Sequence, residues 1–419
     1  MKGDDWVAKV DEVKYEGKPF TYASAFAGIG GMTLGLSPLG GEGVIAWEYD
    51  PTEKRTQYAQ NAHKLLHPNI PVHGDICEAV PEELPDFDVF CFTPPCQSFS
   101  VAGKRGGFED TRGTLTFDAL RIANVKRPKV LFMENVKGLV NHDKGNTMGT
   151  IIHAINEIGY TIDFTIVNSK YFDVAHNRQR VYLIAVRDDL ITSEPWDDVK
   201  GATMLPKAKR KYQDEGAKTF NFDWPEQTEV RTRLRDFLET QVDEKYYLSD
   251  DKTAALVAQM EDGLAVREAT KQGYAIAREG DAVNFQFPDS KTRRGRVGKG
   301  IANTLEASSI NQGVVEAEGI TYNRKDGTGD KRDIALSLSA SDWRGLNRNQ
   351  NQTAILEEFP KYRIRKLTPR ECLRLQSVPE DVIDKLSAEF SDTRLYKFAG
   401  NGLTTNVITA IGERLLRYL

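Results

Sequence analysis

The chain has 419 residues, 40% hydrophobic and 28% charged, with a formal net charge of −5, which predicts about two globular domains and excludes a disordered or fibrous chain. Four cysteines with no Cys-x-x-Cys pair, and six histidines that do not cluster near them, exclude a zinc site or any other metal centre and a disulfide framework. No apolar run approaches the ~20 residues of a membrane span, and Met1-Lys2-Gly3-Asp4-Asp5 carries no apolar signal core, so the expected location is intracellular.

Residues 20–195 alternate short apolar strands with amphipathic helices, a pattern that predicts an α/β fold with a mostly parallel, doubly wound sheet. Thr21–Phe26 is a strand that runs into the turn Phe26-Ala27-Gly28-Ile29-Gly30-Gly31. Glycines there let the backbone approach a ligand. The third glycine is misplaced for the dinucleotide pattern, so the turn alone leaves open a tight turn or a cofactor site. Val44–Trp47 is the second strand, and Asp50-Pro51-Thr52-Glu53 predicts a helix start with Asp50 as cap. Val89–Phe92, Val130–Met133 and Val181–Val186 read as further buried strands. Ile151, Ile152, Ile155 and Ile158 mark one face of a helix that Gly159 ends.

The texture changes after about residue 195. Residues 200–230 are charged and rich in turn formers, 249–280 predict a helix or two, and 283–356 read as short β segments broken by glycine and asparagine. Two stretches there, Ile301–Ala307 and Ile334–Ala340, are loosely alike, each after a basic glycine-containing loop. A basic patch on an acidic protein can bind phosphates locally. Thr368-Pro369-Arg370-Glu371 is a capping box, and residues 406–419 form an amphipathic helix with Val407, Ile408, Ile411, Leu415 and Leu416 on its apolar side.

The residues with chemistry sit at predicted strand exits. Glu48, at the end of the second strand, is placed to accept ribose hydroxyls. Asp75 and Ile76, after the third, suit an adenine edge, and Phe26 and Tyr49 flank a base. This describes a nucleoside cofactor without a diphosphate grip, which S-adenosylmethionine fits better than a nicotinamide dinucleotide. Cys96 follows Pro94-Pro95 on the fourth strand's exit, and Glu134 lies on the exit of the fifth. A thiolate beside a carboxylic acid, without a histidine base, suits attack on an electron-poor ring whose nitrogen needs a proton. Arg178 and Arg180 are fork-shaped donors suited to a base carbonyl or a phosphate.

In this order, these pieces resemble the DNA (cytosine-5) methyltransferase family of bacterial and phage type. The glycine turn is similar to the family's cofactor motif and Pro95-Cys96-Gln97-Ser98-Phe99-Ser100 to its nucleophile motif. Gly107–Leu115 resembles the mobile loop and helix start, Met133-Glu134-Asn135-Val136 the acid motif, and Arg178–Tyr182 the arginine motif. Arg365–Cys372 and Ala399-Gly400-Asn401-Gly402 resemble the two C-terminal motifs.

The resemblance implies a Rossmann-like S-adenosylmethionine-dependent sheet with a second, smaller, mostly β target-recognition domain. The expected boundaries are 1–195 for catalysis and cofactor, 196–392 for target recognition, and 393–419 for a segment returning to the catalytic domain. It further implies that Cys96 adds to carbon 6 of a flipped-out cytosine, that Glu134 acts at ring nitrogen 3, that Arg178 holds the cytosine carbonyl, and that Arg180 supports the site. Phe26, Gly28, Gly30, Glu48, Tyr49, Asp75, Ile76, Pro95, Leu115 and Asn401 would line the cofactor site. Gln97, Arg112, Arg293, Arg294, Thr304, Arg344, Asn347, Arg348 and Gln350 are candidates to meet double-stranded DNA. His176 stands where the family usually has Gln, Gly402 where Ser is usual and Tyr49 where Trp is common; none removes a catalytic group. A monomer is expected, with a cognate restriction endonuclease as a further partner. An RNA cytosine methyltransferase with the same catalytic set and a DNA-binding homologue without activity are the alternatives. A thiol hydrolase is disfavoured, because His142 and His176 have no evident orienting acid.

Overall fold

The computed structural model describes residues 19–95, 115–247 and 365–419, with short strand segments between 264 and 363. Two compact units divide the chain. Among the described residues, the sheet unit holds 19–167, 179–227 and 407–419, and the second unit holds 168–178 and 228–406.

The sheet unit begins with strand β1 (Phe20–Ala25), helix α1 (Gly31–Leu36), strand β2 (Gly41–Trp47), helix α2 (Tyr58–Leu66) and strand β3 (Val72–His73). It continues through β4 (Val89–Phe92), α3 (Leu115–Lys126), β5 (Val130–Val136), α4 (Asn146–Glu157) and β6 (Tyr160–Asn168). After the short β7 (His176–Asn177) of the second unit come β8 (Gln179–Arg187) and α5 (Met204–Asp214). The seven-stranded sheet has the order β3-β2-β1-β4-β5-β8-β6. The first five of these strands run parallel, and β8 is antiparallel to β5. All four residues of β4 are buried, as expected of a strand covered on both faces. In α4, Ile151, Ile152 and Ile155 are fully buried, and Gly159 ends the helix at φ +81°.

The predicted helix start at Asp50 is not formed; α2 begins at Tyr58. The Asp50 carboxylate accepts from Thr52 N and Oγ1 at 2.8 and 2.6 Å, a local turn that competes with helix capping. Residues 204–214, expected to be turn-rich, form α5. Strand β6 has no counterpart among the predicted strands. Asp163 lies in its middle, 2% exposed, and its carboxylate accepts from Trp196 Nε1 (2.9 Å), Lys209 Nζ (2.6 Å), Phe222 N (3.0 Å) and Trp224 Nε1 (2.8 Å). A buried charge persists only when its lone pairs are matched in this way. These bonds fasten residues 196–224 to the sheet unit, past the expected boundary at 195.

In the second unit, β9 (Leu264–Arg267) pairs antiparallel with β10 (Tyr274–Ala277), where helix was predicted. Strand β11 (Asp281–Asn284) lies between β12 (Val297–Lys299) and β14 (Gln312–Val314). Strand β13 (Ala302–Asn303) runs parallel to β7, and β15 (Glu357–Phe359) pairs with β16 (Lys361–Arg363). Helices α6 (Pro369–Arg374), α7 (Glu380–Glu389) and α8 (Asp392–Asn401) follow. The capping box at Thr368 is present at the start of α6. Its Glu371 is fully buried against Arg365, with Nη1–Oε2 at 3.0 Å and Nη2–Oε1 at 2.9 Å, and also accepts from Thr368 N and Glu239 N.

Helix α9 (Thr405–Leu415) carries the chain back into the sheet unit. Val407, Ile408, Ile411 and Leu415 are buried as predicted, whereas Leu416, expected beside them, is half-buried and lies past the helix end at Leu415. Thr409 Oγ1 donates to the Gly35 carbonyl at 2.9 Å. A methyl group added at Gly412 would meet Leu39 Cδ1 at 2.7 Å and Leu36 Cδ2 at 2.9 Å, so glycine permits this close approach to α1.

Candidate active site

Strand register assembles the site. His73 pairs with Trp47, Trp47 with Ala25, Ala25 with Phe92 and Phe92 with Met133. One row therefore crosses the sheet at the last residues of β1, β2, β3 and β4 and at Met133 of β5, a strand that runs on to Val136. The residues that follow this row directly are Glu48, Phe26, Thr93 and Glu134, with Asp75 and Ile76 just beyond β3. Because β1 pairs with both β2 and β4, the sheet changes winding direction there, and such switch points are where α/β sheets take their ligands.

The glycine turn is held tightly. Phe26 has φ +59°, a left-handed conformation unusual for an aromatic residue. Thr93 Oγ1 donates to the Phe26 carbonyl at 3.0 Å, and Ala27 N donates to Trp47 O at 3.0 Å. Gly28 N donates to Glu48 Oε2 at 2.8 Å. Gly28 has φ +56°, with nothing among the described residues within 4 Å of where a β-carbon would stand; Gly30 has φ +94°. Tyr49 is 48% exposed. Asp75 accepts from Cys77 N at 3.0 Å, Ile76 is buried, and Leu115 opens α3 half-buried. Arg121 of α3 braces this turn from behind, donating to Ala79 O at 2.8 Å and Ile76 O at 3.4 Å. The open space at Gly28 and the carboxylates at the ends of β2 and β3 fit a nucleoside-type ligand.

On the other side of the switch point, Pro94 is buried and Pro95 exposed. Asn135 Nδ2 donates to the Pro94 carbonyl at 2.8 Å and so fixes the turn that leads to position 96. Glu134 is 7% exposed, and Arg180 Nε lies 3.2 Å from its Oε1. Register explains the pairing: β8 is antiparallel, so its first residues lie at the end of β5, with Arg180 opposite Val136.

In the second unit, Arg178 is 4% exposed. It donates to the carbonyls of Gly400 (3.4 Å) and Gly402 (2.7 Å), either side of Asn401, which is exposed. Gln376 Nε2 donates to Ala399 O at 2.7 Å. Thr404 Oγ1 donates to Gln376 Oε1 and lies 2.8 Å from Ser169 Oγ.

Of the expected site residues, Phe26, Gly28, Gly30, Glu48, Tyr49, Asp75, Ile76, Pro95, Glu134 and Arg180 belong to the strands of one sheet and the turns that follow them, and Leu115 opens a helix of the same unit. Arg178 and Asn401 belong together in the second unit. Cys96, Gln97, Arg112, Arg293, Arg294, Thr304, Arg344, Asn347, Arg348 and Gln350 lie outside the described residues. Thr93, Asn135 and Arg121 act on backbone far away in sequence, and no local pattern announces them. Two described thiols are poor nucleophiles. Complete burial pushes Cys91 up. Burial with hydrogen bonds to Asp75 and Asp118 pushes the exposed Cys77 up to about 12.

A mostly parallel sheet with carboxylates and a glycine turn at its switch point is the arrangement in which α/β enzymes hold nucleotide-type ligands. Residues 20–417 match the family described as C-5 cytosine-specific DNA methylase. The orphan methyltransferase M.SPRI of Bacillus phage SPR is 37% identical, covering 94% of this chain and 96% of its own. The type II methyltransferase M.HpaII of Haemophilus parainfluenzae is 31% identical over 96% of this chain and 90% of its own. Among solved structures, the S. pombe Dnmt2 methyltransferase (TM-score 0.53, 17% identity, 95% of this chain and 98% of its own) shares the fold. So does a Spodoptera frugiperda DNMT2 variant, at TM-score 0.56 and 18% identity, with 94% and 99% covered. The chain belongs to the C-5 cytosine-specific DNA methylase family and is an enzyme of that family. Among the described residues, no helix is long and apolar enough to cross a membrane.

Proposed function

We propose that this chain methylates carbon 5 of a flipped-out cytosine in a short duplex DNA sequence, with Cys96 as nucleophile and S-adenosylmethionine as donor. The carrying observation is the sheet row that lines up Glu48, Phe26 and Thr93 at the ends of their strands with Glu134 of β5. When bound, S-adenosylmethionine supplies an electrophilic methyl group on a sulfonium. The glycine turn, Glu48, Tyr49, Asp75, Ile76, Pro95 and Leu115 hold the donor, and the family resemblance adds Asn401.

The Cys96 thiolate forms a bond to carbon 6 of the cytosine. Glu134 hydrogen-bonds or protonates nitrogen 3, which would let carbon 5 take the methyl group as its bond to the donor sulfur breaks and S-adenosylhomocysteine leaves. Loss of the carbon 5 proton to solvent would then break the bond between Cys96 Sγ and carbon 6 and restore the Cys96 thiolate. The family resemblance gave the cytosine carbonyl to Arg178. We give it to Arg180, because Arg180 is the arginine beside Glu134, and we give Arg178 to the backbone around Asn401. Extrusion of the base costs a few kcal/mol.

Past the sheet-bound residues 196–224, Arg293, Arg294, Thr304, Arg344, Asn347, Arg348 and Gln350 of the target-recognition region are the proposed phosphate and base-edge contacts, joined by Gln97 and Arg112 from the segment after Cys96. In this reading the chain works as a monomer in the cytoplasm of a bacterial or phage-infected cell. Those named orphan favour action without a cognate restriction endonuclease.

Labelled methyl transfer tests this reading. Duplex DNA should accept methyl groups and tRNA should not; activity on tRNA alone overturns the DNA assignment. Cys96→Ser should bind duplex and donor and transfer nothing, and full residual activity would rule out the covalent route. Bisulfite sequencing of cells that express the chain then gives the sequence methylated.

A further inference from the structure

Helix α2 ends at Leu66, and His67 is its C-terminal cap residue. The His67 imidazole lies against the glycine turn, with Nε2 3.2 Å from the carbonyl oxygen of Ile29. A β-carbon built on Gly30 would stand 2.2 Å from that same Nε2, so the ring fills the space any side chain at position 30 would need. A carbonyl only accepts, so Nε2 carries the proton. One turn earlier in α2, His63 is fully buried and sets its ring nearly edge-on to His67, with centroids 4.9 Å apart. Neither His63 nitrogen has a hydrogen-bond partner among the described residues. Burial, with His67 beside it, holds the His63 imidazole down to about 4, so His63 is neutral near pH 7 and backs His67 as an uncharged ring.

We propose that His67 is a positioning residue for the methyl-donor loop: its Nε2–H fixes the Ile29 carbonyl, and its ring closes the space behind Gly30. This rests on the reading of the glycine turn as the donor site. The physical reason is the turn's own freedom. Gly28 and Gly30 both take positive φ, and an unheld glycine turn pays its ordering entropy each time a ligand binds. A brace that orders it beforehand appears in donor affinity rather than in the chemical step.

The full chain is titrated with S-adenosylhomocysteine and assayed on duplex DNA as wild type, Glu48→Ala, His67→Phe and His67→Gln. His67→Phe keeps a ring but has no donor; it should raise the dissociation constant, and the KM for donor, by about tenfold, with kcat at saturating donor within about twofold. His67→Gln, which offers an amide N–H, should recover most of the loss. Donor affinity unchanged in His67→Phe, or a loss of kcat and thermal midpoint with KM unchanged, overturns the proposal. If wild type and Glu48→Ala bind S-adenosylhomocysteine equally, the reading of the donor site fails, and the proposal fails with it. A weakened Glu48→Ala beside an unaffected His67→Phe sinks the His67 role alone. Should His67→Phe not fold, nitrogen-15 histidine spectra of the wild type decide: an Nε2–H tautomer at His67 is expected, and an Nδ1–H tautomer refutes the bond.

Discussion

The two units hold their polar groups by different means. In the sheet unit, Glu48, Phe26 and Glu134 follow directly on paired strand residues, so main-chain register sets their level. In the second unit, the 399–402 turn is held by side chains: Arg178 reaches the carbonyls of Gly400 and Gly402, and Gln376 reaches Ala399. Placement by register is distributed over many backbone hydrogen bonds and survives a change of side chain. Placement by a reaching side chain is concentrated in one group, and removing that group leaves buried carbonyls unsatisfied.

The largest expected effect tests the sheet side. Glu134→Gln should lower kcat about 10²- to 10⁴-fold while the thermal midpoint stays close to wild type; a collapsed fold would show that its placement is not register-driven. Next, Arg365→Met in the second unit leaves the Glu371 carboxylate buried without its cation and should cost about 3–5 kcal/mol in denaturant unfolding. A loss under 1 kcal/mol would mean that the side-chain scaffold is redundant.

A third test uses pH. The His63 imidazole is lowered to about 4 from an ordinary 6.5, so the unfolded chain takes up a proton before the folded one does. The His63 contribution to stability should therefore fall as pH drops from about 6.5 to 4, by about 3 kcal/mol in all, and change no further below. A His63→Phe chain, with no proton to take there, should show a shallower acid limb; equal limbs would exclude His63 as the source. The smallest effect falls on the turn itself. Gln376→Leu should cost about 1–3 kcal/mol, because the Ala399 carbonyl loses its donor, and Asn135→Leu should do the same to Pro94 in the sheet unit. If Asn135→Leu also abolishes turnover, the contrast between the units narrows, because one reaching amide then sets the approach to Cys96.

Much of the sheet was legible because a buried parallel strand is a short apolar run that ends in a turn, as in Val89–Phe92. The strand ends that carry Phe26 and Glu48 were legible for the same reason. Strand β6 was not, because Asp163 interrupts its apolar pattern and the donors that make that carboxylate tolerable come from residues 196–224. Asp50 carries the letters of a helix cap, but its carboxylate closes a two-residue turn instead. Arg178 and Arg180 are interchangeable as letters. Only the antiparallel register of β8 puts Arg180 opposite Val136, next to Glu134. His67, Arg121 and Gln376 act on main-chain carbonyls far off in sequence, and such bonds leave no local signature.

The seat of α9 on α1 has a consequence in time. Thr409 bonds to the Gly35 carbonyl across 374 residues of chain, and Gly412 packs on Leu36 and Leu39. On a ribosome that adds about 5–20 residues per second, the first helix waits roughly 20–75 s for this neighbour. Through that interval the nascent sheet keeps an apolar flank open to water and to other chains. The enzyme's yield in the cell should therefore respond to translation speed and to chaperone supply more strongly than its final stability suggests.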